Sequence, residues 1–346
     1  MGHTKGHAKG HAKGHLTGPA GGAKALRTVA GTALAVTALA AGTLAAAAPA
    51  GAATQGGRVA TAFVLPGAKV YPEGIAQDAR TGDVYVGSYA DGTVYRARPG
   101  RATAEVFLPA GTDGRDTANG LRVDAHGRLW VTDSTTGVAV YDPRSRTRLA
   151  HFEVPGSAPF FVNDLTITPD GTAYLTDSLR GTIHRVTPAQ LAQGSGALEP
   201  AYTLPVAPGA IGLNGIVSDP AGRWLLAVDM TAGVLHRVDL RTGARSEVTL
   251  HGGDLKHADG LHLSPDGTLR VAHNTTNTLT RWRLTDDATH AHLTRTLTDP
   301  NLQIPTTLTH TRGRTLVVRS QFDKGGPMTP STGTPTTFTV ATIRGL

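Results

Sequence analysis

The chain contains no cysteine. That absence excludes a disulfide-stapled fold, a thiol nucleophile and a lipid-anchored lipoprotein. No G-x-S-x-G segment occurs either, which removes the serine nucleophile elbow and argues against an acyl-enzyme route. Acidic residues are missing from the first 27 positions, where Lys5, Lys9, Lys13, Lys24 and Arg27 stand alone. An apolar run dominated by Ala, Leu and Val follows, from about Val29 to Ala48, and then the small residues Ala50-Gly51-Ala52. Basic, apolar and small-residue regions in that order predict a secretory leader over residues 1–52, cleaved near Ala52. The run is mostly Ala with Gly and Thr, too weakly hydrophobic for a stable membrane anchor. It also lacks a preceding Arg-Arg pair, so a twin-arginine signal is not expected. His3, His7, His11 and His15 are evenly spaced in the leader. They read as part of a soluble basic segment that is discarded with it.

The leader accounts for most of the net charge. The whole chain holds 33 basic and 26 acidic residues, for a net +7. Setting aside the five basic leader residues leaves 28 against 26, so nucleic-acid binding has no electrostatic motive. The remaining residues 53–346 must be held by an apolar core, and they are numerous enough to bury a large one. They are expected to form a single domain, a monomer, exported from the cell.

What is present is a repeat. Segments beginning PEGIAQD at Pro72, ANGLRVD at Ala118, VNDLTIT at Val162, LNGIVSD at Leu213, ADGLHLS at Ala258 and PTTLTHT at Pro305 align over their whole lengths. Each carries a short apolar run and a turn with Gly, as in Pro265-Asp266-Gly267. A second strand, a second turn and a third strand follow. A period of this size with four short strands per copy is a propeller blade. The fold class expected is all-β: a six-bladed β-propeller of four-stranded blades. The last blade would be closed by N- and C-terminal strands near Val59–Leu65 and Thr337–Ile343. Trp130 and Trp224 fall in equivalent second strands, which suits packing between blades.

The second residue of each copy is small and polar: Glu73, Asn119, Asn163, Asn214, Asp259 and Thr306. In a blade the first strand lies nearest the axis, so six strand starts form a ring around one mouth of the channel. The ends of the second strands, Asp133, Asp177, Asp229 and His273, would form a second polar circle further out. Any one such residue could simply cap a turn. Two carboxylates and three amides together suit one hard divalent cation: Ca²⁺ first, with Mg²⁺, Mn²⁺ or Zn²⁺ as alternatives. His257, in the loop HGGDLKHADG, sits beside the ring as a candidate substrate-binding or proton-carrying group. Thr306 is a poor ligand, and its sector is a candidate side for substrate to enter.

These dipeptides, Glu73-Gly74, Asn163-Asp164, Asn214-Gly215 and Asp259-Gly260, resemble the gluconolactonase/regucalcin (SMP-30) family of six-bladed propellers. The wider group of paraoxonase-like lactonases is similar more distantly. The resemblance implies one divalent metal in the channel mouth, held by Glu73, Asn214 and Asp259, with Asn163 and Asn119 near substrate. Asn119 would also suit the larger ligand set of the paraoxonase-like group. It implies a hydrolase of lactones or esters, in which the cation polarises the carbonyl and activates water; the leader adds that the enzyme is secreted. Asp259 or Asp164 would take the proton. Regucalcin-type enzymes carry an Arg two residues before the blade-three Asn, where this chain has Phe161. An apolar ring in place of a guanidinium puts a sugar-lactone substrate in question and points to a more apolar lactone or ester. The alternative is a non-catalytic, metal-stabilised, ligand-binding propeller. A streptogramin-type lyase is a third option, but its His-based chemistry has no counterpart in this ring.

Overall fold

The computed structural model describes residues 59–346. The leader expected over residues 1–52, its cleavage point and the sequence up to residue 58 lie outside the described residues. Six antiparallel sheets follow one another along the chain. The innermost strands are Pro72–Gln77, Leu121–Val123, Val162–Ile167, Leu213–Ser218, Ala258–Leu263 and Leu308–Thr311. The six-bladed propeller expected from the repeat is therefore present. Ring closure is also as expected: Thr339–Arg344 and then Ala60–Val64 complete the sixth blade, the N-terminal strand lying outermost.

Two blades gain a fifth strand. Ser195–Ala197 runs parallel to the outer strand of blade two, and Thr249–His251 parallel to the outer strand of blade five. The short helix Pro188–Gln193 starts on a full capping box between Thr187 and Gln190, with Pro at its first turn.

The core lies between blades. Alternating strand residues bury one set of side chains against the previous blade and the other against the next. Trp130 and Trp224 are buried in such seams, where each indole N–H meets a carboxylate, Asp124 at 3.0 Å and Asp287 at 3.1 Å.

At the axis, a different rule applies. In four of the inner strands the pairing register shifts just after the strand start, at Pro72/Ile75, Val162/Leu165, Leu213/Ile216 and Ala258/Leu261. Each shift is a bulge that re-aims one side chain. It falls on the polar-plus-glycine dipeptides of blades one, four and five. A Cβ on Gly74 would stand 1.9 Å from the carbonyl oxygen of Asn119 in the next blade. One on Gly215 would stand 2.3 Å from that of Asp259. Neighbouring inner strands then bond directly across the seam: Gly120 N–H donates to Asn163 O at 3.0 Å, and Gly260 N–H to Thr306 O at 2.7 Å. Hydroxyls complete the belt, Thr132 to Asn163 O, Thr176 to Asn214 O and Thr306 to Glu73 O.

Gly215→Ala is therefore expected to destabilise the protein by about 1–3 kcal/mol through overpacking against backbone. Denaturant unfolding measures this. The same substitution at Gly313, where a Cβ would meet nothing within 4 Å but φ is 74°, reports the cost of backbone conformation instead and so separates that cause from crowding.

Candidate functional site

The bulge and the glycine contact fix where the polar residue goes. Glu73, Asn163, Asn214 and Asp259 are the second residues of their inner strands, Asn119 and Thr306 stand two residues before theirs, and all six are buried. The structure thus brings together the ring read from the sequence. Glu73, Asp259 and Asp164 lie close enough to act on one another electrostatically. Burial, and after it the charges of Asp259 and Asp164, holds the Glu73 carboxyl well above its ordinary range. Burial likewise pushes Asp259 up to about 7, against the hydrogen bond from Asn274.

The orphaned atoms decide what this mouth can hold. Glu73 Oε2, Asn119 Oδ1, Asn163 Oδ1 and Asp259 Oδ1 are buried and have no hydrogen-bond partner among the described residues. All four are oxygens, and they belong to four of the six strand starts. Buried polar atoms are rarely left unpaired without a reason. Neighbours orient the rest of these side chains. Asn274 Nδ2 donates to Asp259 Oδ2 at 2.9 Å, and Asn163 Nδ2 to the Ser178 hydroxyl at 3.1 Å. Asn214 Nδ2 faces Met230 Sδ at 3.2 Å. The donor set fits a hard divalent cation, which prefers oxygen ligands and at least one carboxylate. Among the described residues no group of three or more His, Cys, Asp or Glu gathers to hold a metal. The mouth relies on amides for the balance.

Asp164 takes another path. One carboxylate oxygen meets Arg122 Nη2 at 3.1 Å and the other accepts from Leu165 N–H at 2.8 Å. Its oxygens are thus already engaged, which leaves it poorly placed as the proton acceptor considered from the sequence. The Arg122–Asp164 pair lies on the axis side below the ring, where Arg122 also lines the opposite end of the channel with His262. Burial depresses His262 to about 3, so that end stays neutral at His262 and cationic only at Arg122.

In the second polar circle the carboxylates of Asp133, Asp177 and Asp229 are taken up by backbone and hydroxyl donors. They cap the turns that follow them: Asp177 Oδ1 accepts from Phe161, Leu179 and Arg180 N–H, and Asp229 Oδ1 from Thr231 and Ala232 N–H. His273 is held between Lys256 O and the Thr280 hydroxyl. The residues that do reach the ring stand one position later: Tyr89, Ser178, Met230, Asn274 and Ser320. The cause is strand alternation: Asp177 pairs with Val162 and shares its face, while Ser178, bonded to Phe161 O, shares the face of Asn163 and meets its side chain.

Phe161 is half-buried at the mouth. Its ring stacks on Tyr89 at 6.4 Å, and Tyr89 tilts against Phe322 at 5.5 Å. Three aromatic rings from blades one, three and six thus form one wall. Burial, then the charge of Glu73, raises the Tyr89 hydroxyl, which places this ring against the cluster. Tyr89, Phe322 and Asn274 were not singled out from the sequence. His257 is exposed, in a left-handed backbone conformation, and only its backbone is bonded, to Met230 and Asn274.

A family model described as the SMP-30/Gluconolactonase/LRE-like region matches residues 71–320. The chain belongs to this family. The match spans the whole ring of strand starts, from Glu73 to Thr306. Among solved structures, a gluconolactonase from Xanthomonas campestris is similar over 83% of this chain and 89% of its own, at 18% identity and a TM-score of 0.59. The major allergen Mala s 1 of Malassezia sympodialis covers 80% and 93%, at 16% identity and 0.58. Virginiamycin B lyase from Staphylococcus aureus covers 84% and 99%, at 11% identity and 0.54. Such distant neighbours share the fold. No curated protein matches the chain.

The crowding of carboxylates has a pH signature. A carboxyl raised on folding holds its proton more tightly folded than unfolded, so its stabilising contribution is present at low pH and lost as pH rises through the folded value. EDTA-treated protein should therefore melt at progressively lower temperature as pH rises from about 4 toward 7, the window set by Asp259. Added Ca²⁺ should remove that slope. Thermal melts in matched buffers, with Asp259→Asn as the variant that flattens the slope without cation, measure it.

Proposed function

We propose that this SMP-30/gluconolactonase family member is a divalent-cation-dependent hydrolase of lactones or esters that carry an apolar substituent. One observation supports the reading: four oxygens of the strand-start ring are buried without a hydrogen-bond partner among the described residues, and three aromatic rings pack beside that ring. Glu73, Asn214 and Asp259 would hold the cation, with the free oxygens of Asn119 and Asn163 beside them. Ca²⁺ is favoured, because amide and carboxylate oxygens outnumber any nitrogen donor there. When bound, the cation would polarise the scissile carbonyl and favour ionisation of water.

The chain's own residues supply the rest. The Tyr89, Phe161 and Phe322 rings would take the apolar part of the substrate and exclude water from that side. Asn163, its amide nitrogen tied to Ser178, would present its oxygen to the substrate. Asp259 is the candidate proton acceptor through Oδ2, which keeps a lone pair beside its hydrogen bond from Asn274, while Oδ1 faces the cation. Asp164, neutralised by Arg122, would instead set the charge beneath the ring and keep the guanidinium in place. His257, exposed at the rim, could meet a polar end of the substrate. A small-molecule lactone or ester is the only partner this reading requires, acting on a monomer. Export rests on the sequence of residues 1–52, and N-terminal sequencing of the cell-free protein would test it.

Turnover of aryl esters and lactones should vanish with EDTA and return with one of Ca²⁺, Mg²⁺, Mn²⁺ or Zn²⁺. Asp259→Ala should remove at least about a hundredfold of that activity. Tight cation binding with no turnover on any substrate would instead favour a binding propeller. Phe161→Arg should shift preference toward sugar lactones and lower activity on apolar esters. An unchanged preference would remove the aromatic wall from the account.

A further inference from the structure

Away from the mouth, on the opposite face, blades six and one meet in a cleft of about 420 Å³. Four arginines line it, Arg98, Arg101, Arg312 and Arg314, and no acidic side chain does. This is unusual in a domain whose described residues are almost neutral, with 27 basic against 26 acidic. Arg98 has a partial partner in Glu105 at 3.3 Å. Arg101, Arg312 and Arg314 have no ion pair among the described residues, and neither does Arg344. We propose that this seam is a binding site for a polyvalent, phosphate-bearing anion.

Two features set the cluster apart from a scatter of solvated arginines. Arg314 lies directly opposite Arg344 on the adjacent strand, a like-charge pair that is unfavourable until something negative lies between. Arg312 occupies the first position of a two-residue hairpin turn, with φ of 47° followed by 74° at Gly313. Such a turn prefers Asn, Asp or Gly in that position, and an Arg accepts a strained backbone there. Strain kept at an exposed, like-charged position points to a use. The geometry also suits a ligand. Arg98 and Arg101 bracket their own turn, closed by Arg101 N–H to Arg98 O at 3.1 Å. The segment after the first turn is tied to the last blade, because Val64 of its N-terminal strand bonds to Ala102 and Ala104. Both turn glycines, Gly100 and Gly313, stand open, since a Cβ added to either would meet nothing within 4 Å. Several guanidinium forks lining one cleft from two turns match clustered phosphate oxygens better than a single carboxylate. A ligand bound here leaves the channel mouth free on the far side.

The test is calorimetric titration of the whole chain with inorganic tripolyphosphate, without divalent cations, at two ionic strengths. The basic residues of positions 1–27 contribute equally to every variant, so the comparison among variants carries the result. Arg312→Asn and Arg314→Gln together should weaken binding at least about tenfold, and higher salt should weaken the wild type. Arg312→Asn alone should weaken binding while raising the melting temperature, because Asn suits the turn. Asp259→Ala should bind as the wild type does. A second arm uses vesicles of phosphatidylglycerol against phosphatidylcholine: selective capture of the wild type identifies a headgroup surface, and tripolyphosphate binding alone identifies a soluble phosphate ligand. Equal affinity of wild type and the double variant, or no binding in either arm, overturns the proposal.

Discussion

The structure depends on how closely six backbones can approach one axis. At the start of most inner strands a glycine lies against the backbone of the next blade, so closely that a single methyl group would collide with a carbonyl. That contact closes the ring, and the bulge beside it turns the preceding residue into the channel. Packing and chemistry are therefore one feature. The Gly of Glu73-Gly74 joins blades one and two, and its Glu becomes part of the mouth. Asn163-Asp164 breaks the pattern, and its Asp departs to Arg122 rather than joining the other oxygens.

Concentrating acidic and amide groups at one point carries a free-energy cost. Two carboxylates taken out of water side by side favour protonation, as the upward shifts of Glu73 and Asp259 express. Proteins rarely retain such a cluster, with four oxygens lacking partners, unless a positive charge completes it. The arrangement makes chemical sense as one half of a site. Asn274, Ser178 and Met230 orient the ring from behind and leave its free oxygens facing inward.

Much of this was legible in the sequence, for identifiable reasons. The repeat fixed the blade count, because each copy carries its own turns and strand pattern. The ring followed, since the same position in every copy must occupy the same place in a cyclic structure. The supporting circle did not follow. Asp177 and Asp229 pair with Val162 and Leu213 and so share their face, whereas the residue after each shares the face of the ring residue. Which of the two meets the ring depends on the pairing register, and that register has no local mark in the sequence. The aromatic wall was invisible for another reason. Tyr89, Phe161 and Phe322 come from blades one, three and six, and only Phe161 stood out, through contrast with the family's Arg. The Arg122–Asp164 pair spans blades two and three and was likewise beyond the reach of local pattern.

The central claim is that the oxygens of the mouth act together on one cation. Calorimetric titration of EDTA-treated protein with Ca²⁺ tests it most directly, in the wild type and in Glu73→Gln. A single site per chain, weakened at least about tenfold when one carboxylate becomes an amide, is the result this account predicts. Equal affinity in the two proteins, or no saturable binding in the wild type, would contradict it.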